Sequence, residues 1–183
     1  MASPQVRYTY EDYRQLPDDG QRYEVLDGEL VVSPSPSRRH QQLSGRLFYE
    51  LYRHVQVEHR LGEVYHAPSD VILAEDTIVQ PDLLFVATER LDAFSDRGLE
   101  GAPDLVVEIL SPSTRTRDRG KKREVYARFG VRELWLVDPD RDAVDVFERA
   151  GDDLAPAGTF GRGETLASRV VPGLRVDLAA VFA

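Results

Sequence analysis

Two short apolar stretches decide the fold: Ile78-Val79-Gln80-Pro81-Asp82-Leu83-Leu84-Phe85-Val86 and Asp104-Leu105-Val106-Val107-Glu108-Ile109-Leu110. Each is typical of a strand covered on both faces, and each carries a lone acid within it, Asp82 or Glu108. An ionised carboxylate in such surroundings costs several kcal/mol unless a cation pairs with it. The two acids therefore predict a metal ion or a shared cation. Hard divalent ions such as Mg²⁺ prefer carboxylate oxygens and keep water ligands for chemistry.

Each carboxylate also has a purely structural interpretation. Asp82 follows Pro81, so it could open a strand from a turn without binding an ion. Glu108 has only apolar neighbours along its strand, and an arginine from elsewhere in the chain could neutralise it as an ion pair. Both interpretations stay open, because the local sequence does not say which side chains lie opposite these two acids.

Lys122 lies near the start of the helix predicted after the second stretch. The residues three, four and seven positions further on share its helical face, and they are Val125, Tyr126 and Phe129. Lys121 is turned away from that apolar face by about 100°. Lys122 is therefore predicted to point toward the sheet, where it could reach the end of the second stretch. Its stem could equally be buried while its ammonium group extends into water.

The composition is usual for a globular protein. Residues 1–183 are predicted to form a single domain, which is large enough for a substantial core. Apolar residues make up 42% and charged residues 30%, as in ordinary soluble proteins. No apolar run approaches the ~18 residues of a membrane helix, and the N-terminus has no signal-peptide pattern. The absence of cysteine excludes disulfides and thiolate metal sites, and a cytoplasmic location is expected by default.

The charge distribution bears on nucleic-acid binding. The net charge of −9 disfavours non-specific binding to nucleic acid. Residues 115–123 are an exception. They include six basic residues and a single acid, Asp118, which gives the segment a local charge of +5. This segment could face phosphates, or it could be a solvated loop and helix start. The charge pattern alone does not separate the two.

The order of the predicted elements defines the fold class. Helices are predicted at residues 10–16, 39–59, 88–96 and 119–129. Strands are predicted at residues 63–66, 70–73, 78–86, 105–110, 133–137 and 143–147, and residues 22–32 form a hairpin with Asp27-Gly28 at its turn. The middle of the chain therefore has the order helix, three strands, helix, strand. That order predicts an α/β fold with helices on a mixed central sheet.

Several motifs together resemble one protein family. They are Tyr23-Glu24-Val25-Leu26-Asp27-Gly28-Glu29-Leu30, Gln80-Pro81-Asp82, Pro103-Asp104-Leu105-Val106-Val107-Glu108-Ile109-Leu110-Ser111-Pro112-Ser113-Thr114, Asp118-Arg119-Gly120-Lys121-Lys122 with Tyr126, Gly130-Val131-Arg132-Glu133-Leu134-Trp135-Leu136-Val137-Asp138-Pro139, and Pro172-Gly173-Leu174. The set resembles the Uma2 family, formerly a domain of unknown function, within the PD-(D/E)XK nuclease superfamily. The resemblance implies a restriction-endonuclease-like αβββαβ core with a mixed central sheet flanked by helices, here with an N-terminal β-hairpin.

The resemblance also implies a set of functional residues. Asp82, Glu108 and Lys122 match the catalytic positions, with Asp82 and Glu108 as ligands of Mg²⁺, for which Mn²⁺ could substitute. The superfamily motif has lysine two residues after the glutamate, whereas this chain has Leu110 there. Lys122 resembles the lysine that the Uma2 family supplies from the following helix.

Four further side chains could border the site: Glu24, Glu29, His40 and Asp70. Acids near the first helix and a histidine opening the long helix sometimes complete such sites, but each of the four is expected to be structural or surface-exposed. His54 and His59 are five positions apart, which is wrong for one face of an α-helix, so a zinc pair is not expected there.

Two classes of function account for these features. The first is an Mg²⁺-dependent endonuclease that hydrolyses phosphodiester bonds in nucleic acid; DNA is the expected substrate, and a homodimer would allow both strands to be cut. The alternative is a catalytically weak or inactive nuclease fold used as a binding or regulatory protein. The enzyme is favoured because an inert protein has no need of two buried acids and an inward lysine. The sequence has no P-loop, G-x-S-x-G or G-x-G-x-x-G motif. Their absence argues against a nucleoside-triphosphatase, a hydrolase with a serine nucleophile and a dinucleotide-binding enzyme, respectively.

Overall fold

The computed structural model describes residues 6–183. Its helices are α1 (Tyr10–Tyr13), α2 (Arg38–Tyr52), α3 (Arg115–Arg117), α4 (Arg123–Phe129) and α5 (Leu178–Val181), with π-helical turns at Arg53–Glu58 and Asp118–Lys122 and a 3₁₀ turn at Thr88–Ala93. Its strands are β1 (Arg22–Leu26), β2 (Glu29–Ser33), β3 (Gly62–His66), β4 (Val71–Ala74), β5 (Thr77–Val79), β6 (Leu83–Ala87), β7 (Phe94–Ser95), β8 (Gly98–Glu100), β9 (Leu105–Ile109), β10 (Glu133–Asp138), β11 (Ala143–Ala150), β12 (Asp153–Gly161), β13 (Thr165–Ala167) and β14 (Arg175–Asp177). Within residues 6–183, no helix is both long and apolar enough to span a membrane.

The central sheet has the strand order β12-β11-β10-β9-β6-β3. It is mixed, because β9 pairs in parallel with β10 and antiparallel with β6. Helix α2 covers one face through Leu43, Leu47 and Leu51, which recur every four residues and are fully buried. Helix α4 covers the other face through Tyr126 and Ala127. The order α2, β3, β6, β9, α4, β10 is the predicted αβββαβ core, and the α/β fold class is confirmed.

A second six-stranded sheet has the order β2-β1-β5-β4-β8-β7 and packs on the α4 side of the central sheet. Strands β1 and β2 form the predicted hairpin, whose turn residues Asp27 and Gly28 have φ values of 53° and 81°. A two-residue turn between twisted strands needs these left-handed conformations, which aspartate and glycine tolerate better than most residues. The hairpin also pairs with β5, and this pairing brings β1 to the end of β6.

The predicted strand over residues 78–86 is in fact two strands in different sheets. Strand β5 belongs to the hairpin sheet, and β6 belongs to the central sheet. The chain leaves the first ladder at Gln80, whose N–H donates to Glu24 Oε1 at 2.8 Å, and Pro81 then has no N–H to offer. Asp82 therefore lies at the crossing between the two sheets rather than inside a strand.

The long helix ends in a π-helical turn instead of continuing as an α-helix to residue 59. After α2 the chain enters Arg53–Glu58, and the His59 N–H donates to the His54 carbonyl at 3.2 Å. An i→i+5 bond of this kind places residues five apart beside each other. The His54 and His59 ring centroids are 4.4 Å apart. The expectation that their spacing keeps these histidines apart was wrong, because it assumed α-helical geometry.

Candidate active site

Asp82 and Glu108 lie side by side in adjacent segments of the central sheet. The β6–β9 register pairs Leu83 with Val107, which sets Asp82 opposite Glu108. Asp82 Oδ2 accepts a hydrogen bond of 2.7 Å from the Ile109 N–H. Only 3% of Asp82 and 2% of Glu108 are exposed, so both carboxylates need partners inside the protein.

Arg22 is a cation that the two carboxylates share. Its Nη1 atom is 2.6 Å from Asp82 Oδ1, and its Nη2 atom is 3.6 Å from Glu108 Oε2. Arg22 and Glu24 are two positions apart on β1, so both side chains point to the same face, and Nη2 is also 3.9 Å from Glu24. The arginine partner considered for Glu108 is thus present. No local pattern in the sequence indicates the contact of Arg22 with Asp82, because 60 positions separate the two residues.

Lys122 is fully buried between two glutamates. Its Nζ atom is 2.6 Å from Glu108 Oε1 and 2.9 Å from Glu24 Oε1, and these contacts are close ion pairs without well-directed hydrogen bonds. Tyr126, one turn further along the helix, donates its O–H to Glu108 Oε1. Lys121 is partly exposed and pairs with Asp27 instead. The predicted distinction between an inward Lys122 and an outward Lys121 therefore agrees with the structure.

The four secondary candidates divide into two pairs. Glu24 and His40 belong to the cluster, since Glu24 contacts Lys122 and His40 Nε2 is 3.1 Å from Asp82 Oδ2. The Glu24 side chain is fully buried and only 13% of the His40 side chain is exposed, and the expectation that both are structural stays a prediction. Glu29 is exposed at the hairpin. Asp70 faces an adjacent cavity, where it accepts a hydrogen bond of 2.7 Å from the Tyr13 hydroxyl.

Glu108 is a candidate for proton uptake near neutral pH. Burial raises its pKa to about 7, and the nearby charges of Asp118 and Asp82 act in the same direction. The Lys122 ammonium opposes this shift but does not cancel it, because the effect of burial on Glu108 is larger. A further positive charge beside Glu108 would restore its ionised form.

The other charged groups of the cluster keep their charges. Burial alone would raise the pKa of Asp82, but the His40 hydrogen bond and the Arg22 charge hold that pKa well below its ordinary value. Burial likewise disfavours ionised Glu24, yet Lys122 and Arg22 lower the pKa of Glu24. The pKa of Lys122 is raised, because its two glutamates outweigh its desolvation. Of the three carboxylates Glu24, Asp82 and Glu108, Glu108 is thus the one whose pKa lies near neutral pH.

Two cavities meet at this cluster. One, of about 380 Å³, is lined by Asp82, Glu108, Ile109 and the loop 111–114. The other, of about 790 Å³, is lined by aromatic and polar residues that include Tyr13 and Asp70. Asp82 borders both cavities, together with Arg22 and His40. A ligand lying across the two cavities would therefore pass over the carboxylate pair.

The basic segment 115–123 is largely neutralised by acids of the same chain. Its ion pairs join Arg115 to Asp138 and Asp140, Arg119 to Asp138 and Asp145, Arg117 to Glu24, Lys121 to Asp27, and Lys122 to Glu24 and Glu108. Arg123 lies over the Phe147 ring, 5.3 Å from its centroid. The interpretation of this segment as a free phosphate-binding surface is therefore not supported.

The carboxylate pair suits a hard divalent cation. Glu24 Oε2 and Asp118 Oδ1 are buried oxygens without a hydrogen-bond partner in the described residues, so the cluster has unused acceptor capacity. Mg²⁺ is commonly bound by one or two carboxylates with water completing its shell, which matches Asp82 and Glu108. Arg22 occupies the position between these acids, and an ion bound to both would take over its neutralising role.

The fold is shared with a protein of known structure. It is similar to the crystal structure of a protein from Anabaena variabilis ATCC 29413 described as a "putative nuclease belonging to DUF820", with a TM-score of 0.78 and 19% sequence identity. The match covers 95% of this chain and 97% of that one. At this level of identity the likeness establishes the shared fold alone.

The sequence comparisons define the family. Residues 10–179 match the Uma2 family, described as "Putative restriction endonuclease", and the chain belongs to this family. The chain is also 27% identical over 156 residues to the uncharacterized protein slr1290 of Synechocystis sp. (strain PCC 6803), a match that covers 82% of this chain and 79% of that protein. The resemblance inferred from the motifs is thus confirmed, and family and fold together support a nuclease-like function.

Proposed function

We propose that this protein is a metal-dependent endonuclease that hydrolyses phosphodiester bonds in DNA. The observation that carries the proposal is the arrangement of two buried carboxylates, Asp82 and Glu108, beside the buried ammonium of Lys122. Burying three charges together is expensive for a protein that uses them only for stability, since apolar residues of similar volume often serve as well. The nuclease-like family and fold agree with this chemistry.

Asp82 and Glu108 would hold Mg²⁺, and Mn²⁺ could replace it. When bound, such an ion lowers the pKa of a water ligand and polarises the phosphoryl oxygen. Ile109 fixes one oxygen of Asp82 through its N–H, and His40 contacts the same oxygen. Asp82 is therefore pre-oriented by groups from two different elements, which is what a precise ligand position requires.

Lys122 and Tyr126 fix the position of Glu108. Both contact Oε1 of that residue, and this leaves Oε2 directed toward Asp82 and Arg22. Lys122 lines neither cavity, so its positive charge would act on a bound phosphoryl group from a distance, through surroundings in which charges interact more strongly than in water. Glu24 holds the ammonium from the opposite side.

Arg22 has a double role in this proposal. In the structure it pairs with both carboxylates, a role that a cation held by Asp82 and Glu108 would share. About a quarter of its side chain is exposed, 24%, at the junction of the two cavities. From this position the Arg22 guanidinium could bind a substrate phosphate through its paired N–H groups.

A cleavage assay tests the proposal. The purified protein is incubated with supercoiled plasmid, linear duplex, single-stranded DNA and RNA, in Mg²⁺, Mn²⁺ or EDTA. We expect cleavage of DNA with either metal, none in EDTA, and a loss of at least about 10²-fold in Asp82→Asn. Glu29→Gln, which changes an exposed acid away from the site, is the matched control and should cleave like wild type.

Absence of cleavage on every substrate would favour the second candidate, a nuclease fold used for binding or regulation. The observation that favours this candidate is the pairing of Arg22 with both site acids, because acids that an arginine already neutralises need no metal for stability. Filter binding on the same substrates would then separate a DNA-binding protein from one without affinity for nucleic acid. In that case Asp82→Asn should leave DNA affinity nearly unchanged.

A further inference from the structure

A second group of potential metal ligands lies at the end of helix α2. His54, Glu58 and His59 each offer one ligand atom, and these three atoms lie within 4.8 Å of one another. Within residues 6–183 this is the one group of three or more such side chains that meets this distance. The π-helical turn creates it, because the i→i+5 geometry stacks His59 next to His54.

For the neutral form of His54, the surroundings select one tautomer of the ring. Its Nε2 atom is 2.9 Å from the Pro172 carbonyl oxygen, which can only accept, so Nε2 must carry the proton. The other ring nitrogen, Nδ1, then keeps a free lone pair on the side facing Glu58, with Nδ1 and Glu58 Oε2 3.9 Å apart. Metal-binding histidines have this arrangement, in which one nitrogen donates to a carbonyl and the other binds the ion.

Glu58 is held in a similar way. Arg53 pairs with Oε1 of Glu58, while Oε2 is the oxygen that faces His54. Arg53 also pairs with Glu50, so its guanidinium is fixed on α2. His54 and Glu58 thus each have one side-chain atom held by a neighbouring group and a second atom directed into the cluster.

We propose that His54, Glu58 and His59 form a binding site for a transition-metal ion of the Zn²⁺ type. Two imidazole nitrogens and a carboxylate oxygen are a frequent Zn²⁺ ligand set, with water in the fourth tetrahedral position. Mg²⁺ is a poor candidate, because it prefers oxygen ligands alone. Zinc bonds of about 2.0–2.2 Å need ligand atoms roughly 3–4 Å apart. The three ligand atoms now lie within 4.8 Å of one another. Small rotations of the exposed Glu58 and His59 side chains would bring them to the shorter separation.

An ion in this position would fasten the end of α2 to the segment that contains Pro172. His54 already joins the two through its hydrogen bond, and Gly173 lies directly against the His54 ring, where an added Cβ would be 3.7 Å from Cε1. The proposed site uses none of Asp82, Glu108 and Lys122. It is therefore independent of the nuclease proposal.

The test is a Co²⁺ and Zn²⁺ titration of the untagged protein, read by the visible absorption of Co²⁺ and by calorimetry. All variants are made in an Asp82→Asn background, which removes the carboxylate pair as a second binding site. In that background we expect one ion per chain, with affinity reduced at least about tenfold by His59→Gln and by Glu58→Gln. Both substitutions change exposed side chains, and circular dichroism verifies that the proteins are folded. His66→Gln in the same background is the matched control, because it removes a histidine outside the cluster.

The outcomes separate clearly. Loss of binding on adding His59→Gln or Glu58→Gln to the Asp82→Asn protein, with binding kept on adding His66→Gln, supports the site. Three results would overturn it: no uptake by the Asp82→Asn protein, equal uptake with and without His59→Gln, or uptake that depends on His66. None of these results depends on whether the protein cleaves DNA.

Discussion

Glu108→Gln is expected to remove a pH-dependent loss of stability that the wild-type protein has between about pH 4.5 and 7. The window follows from the pKa of Glu108, which burial raises from 4.5 to about 7 in the folded protein. In this range the folded state binds more protons than the unfolded state, so raising the pH favours unfolding. The stabilising contribution is complete below pH 4.5 and is lost as the pH rises through 7.

The size of the effect follows from the same shift. Each pKa unit corresponds to about 1.4 kcal/mol, so a rise from 4.5 to about 7 corresponds to about 3 kcal/mol. Glutamine resembles the protonated form of Glu108 and does not titrate. The free energy of unfolding of Glu108→Gln, minus that of wild type, should therefore rise by about 3 kcal/mol between pH 4 and pH 8.

Urea denaturation at several pH values between 4 and 8 measures this difference. Glu29→Gln, at an exposed glutamate, is the control and should show a pH-independent difference from wild type. Saturating Mg²⁺ should flatten the wild-type profile, because an ion at Asp82 and Glu108 stabilises the ionised carboxylate. A difference between Glu108→Gln and wild type that stays constant from pH 4 to pH 8 would refute the assignment of Glu108 as the neutral-range titrating group.

Two further substitutions probe the ion pairs of the cluster, and a third serves as a control. Lys122→Met should destabilise the protein by about 3–5 kcal/mol in urea denaturation at pH 8, because it leaves buried Glu24 and Glu108 without their shared cation. Lys121→Met should cost no more than about 1 kcal/mol, because its ion pair is partly exposed, and equal losses would contradict the buried ion-pair network. Arg22→Gln should bind Mn²⁺ at least about tenfold more tightly in calorimetry, because a cation that competes for both site carboxylates is gone. Weaker binding in Arg22→Gln would show that Arg22 supports the metal site rather than competing with it.

Local patterns in the sequence predicted the core of the fold and part of the site. The order of helices and strands, the Asp27-Gly28 turn and the inward position of Lys122 all depend on residues within one element, where periodicity and turn chemistry apply. Asp82 and Glu108 could be found for the same reason, as single acids in apolar runs. Their adjacency then followed from the antiparallel pairing of β6 with β9.

The remaining features depend on contacts between distant segments or on irregular backbone. Arg22 and His40 reach Asp82 across 60 and 42 positions, and no local signal indicates such a contact. Pro81 indicates that the strand predicted at residues 78–86 is interrupted. It does not indicate that the two halves belong to different sheets. The contact between His54 and His59 needed a π-helical turn, which no residue in that segment specifies.

A metal titration with a proton count tests the central claim most directly. Mn²⁺ or Mg²⁺ is titrated at pH 6.5 and at pH 8.5 in buffers of different ionisation enthalpy, with wild type and Asp82→Asn. We expect one ion per chain at the carboxylate pair and release of most of one proton at pH 6.5 but almost none at pH 8.5, because Glu108 has a pKa of about 7 and must ionise to bind. Asp82→Asn should lose both the binding and the proton release. Equal binding in Asp82→Asn, or wild-type binding with the same proton release at both pH values, would contradict the claim that Asp82 and Glu108 together hold the metal.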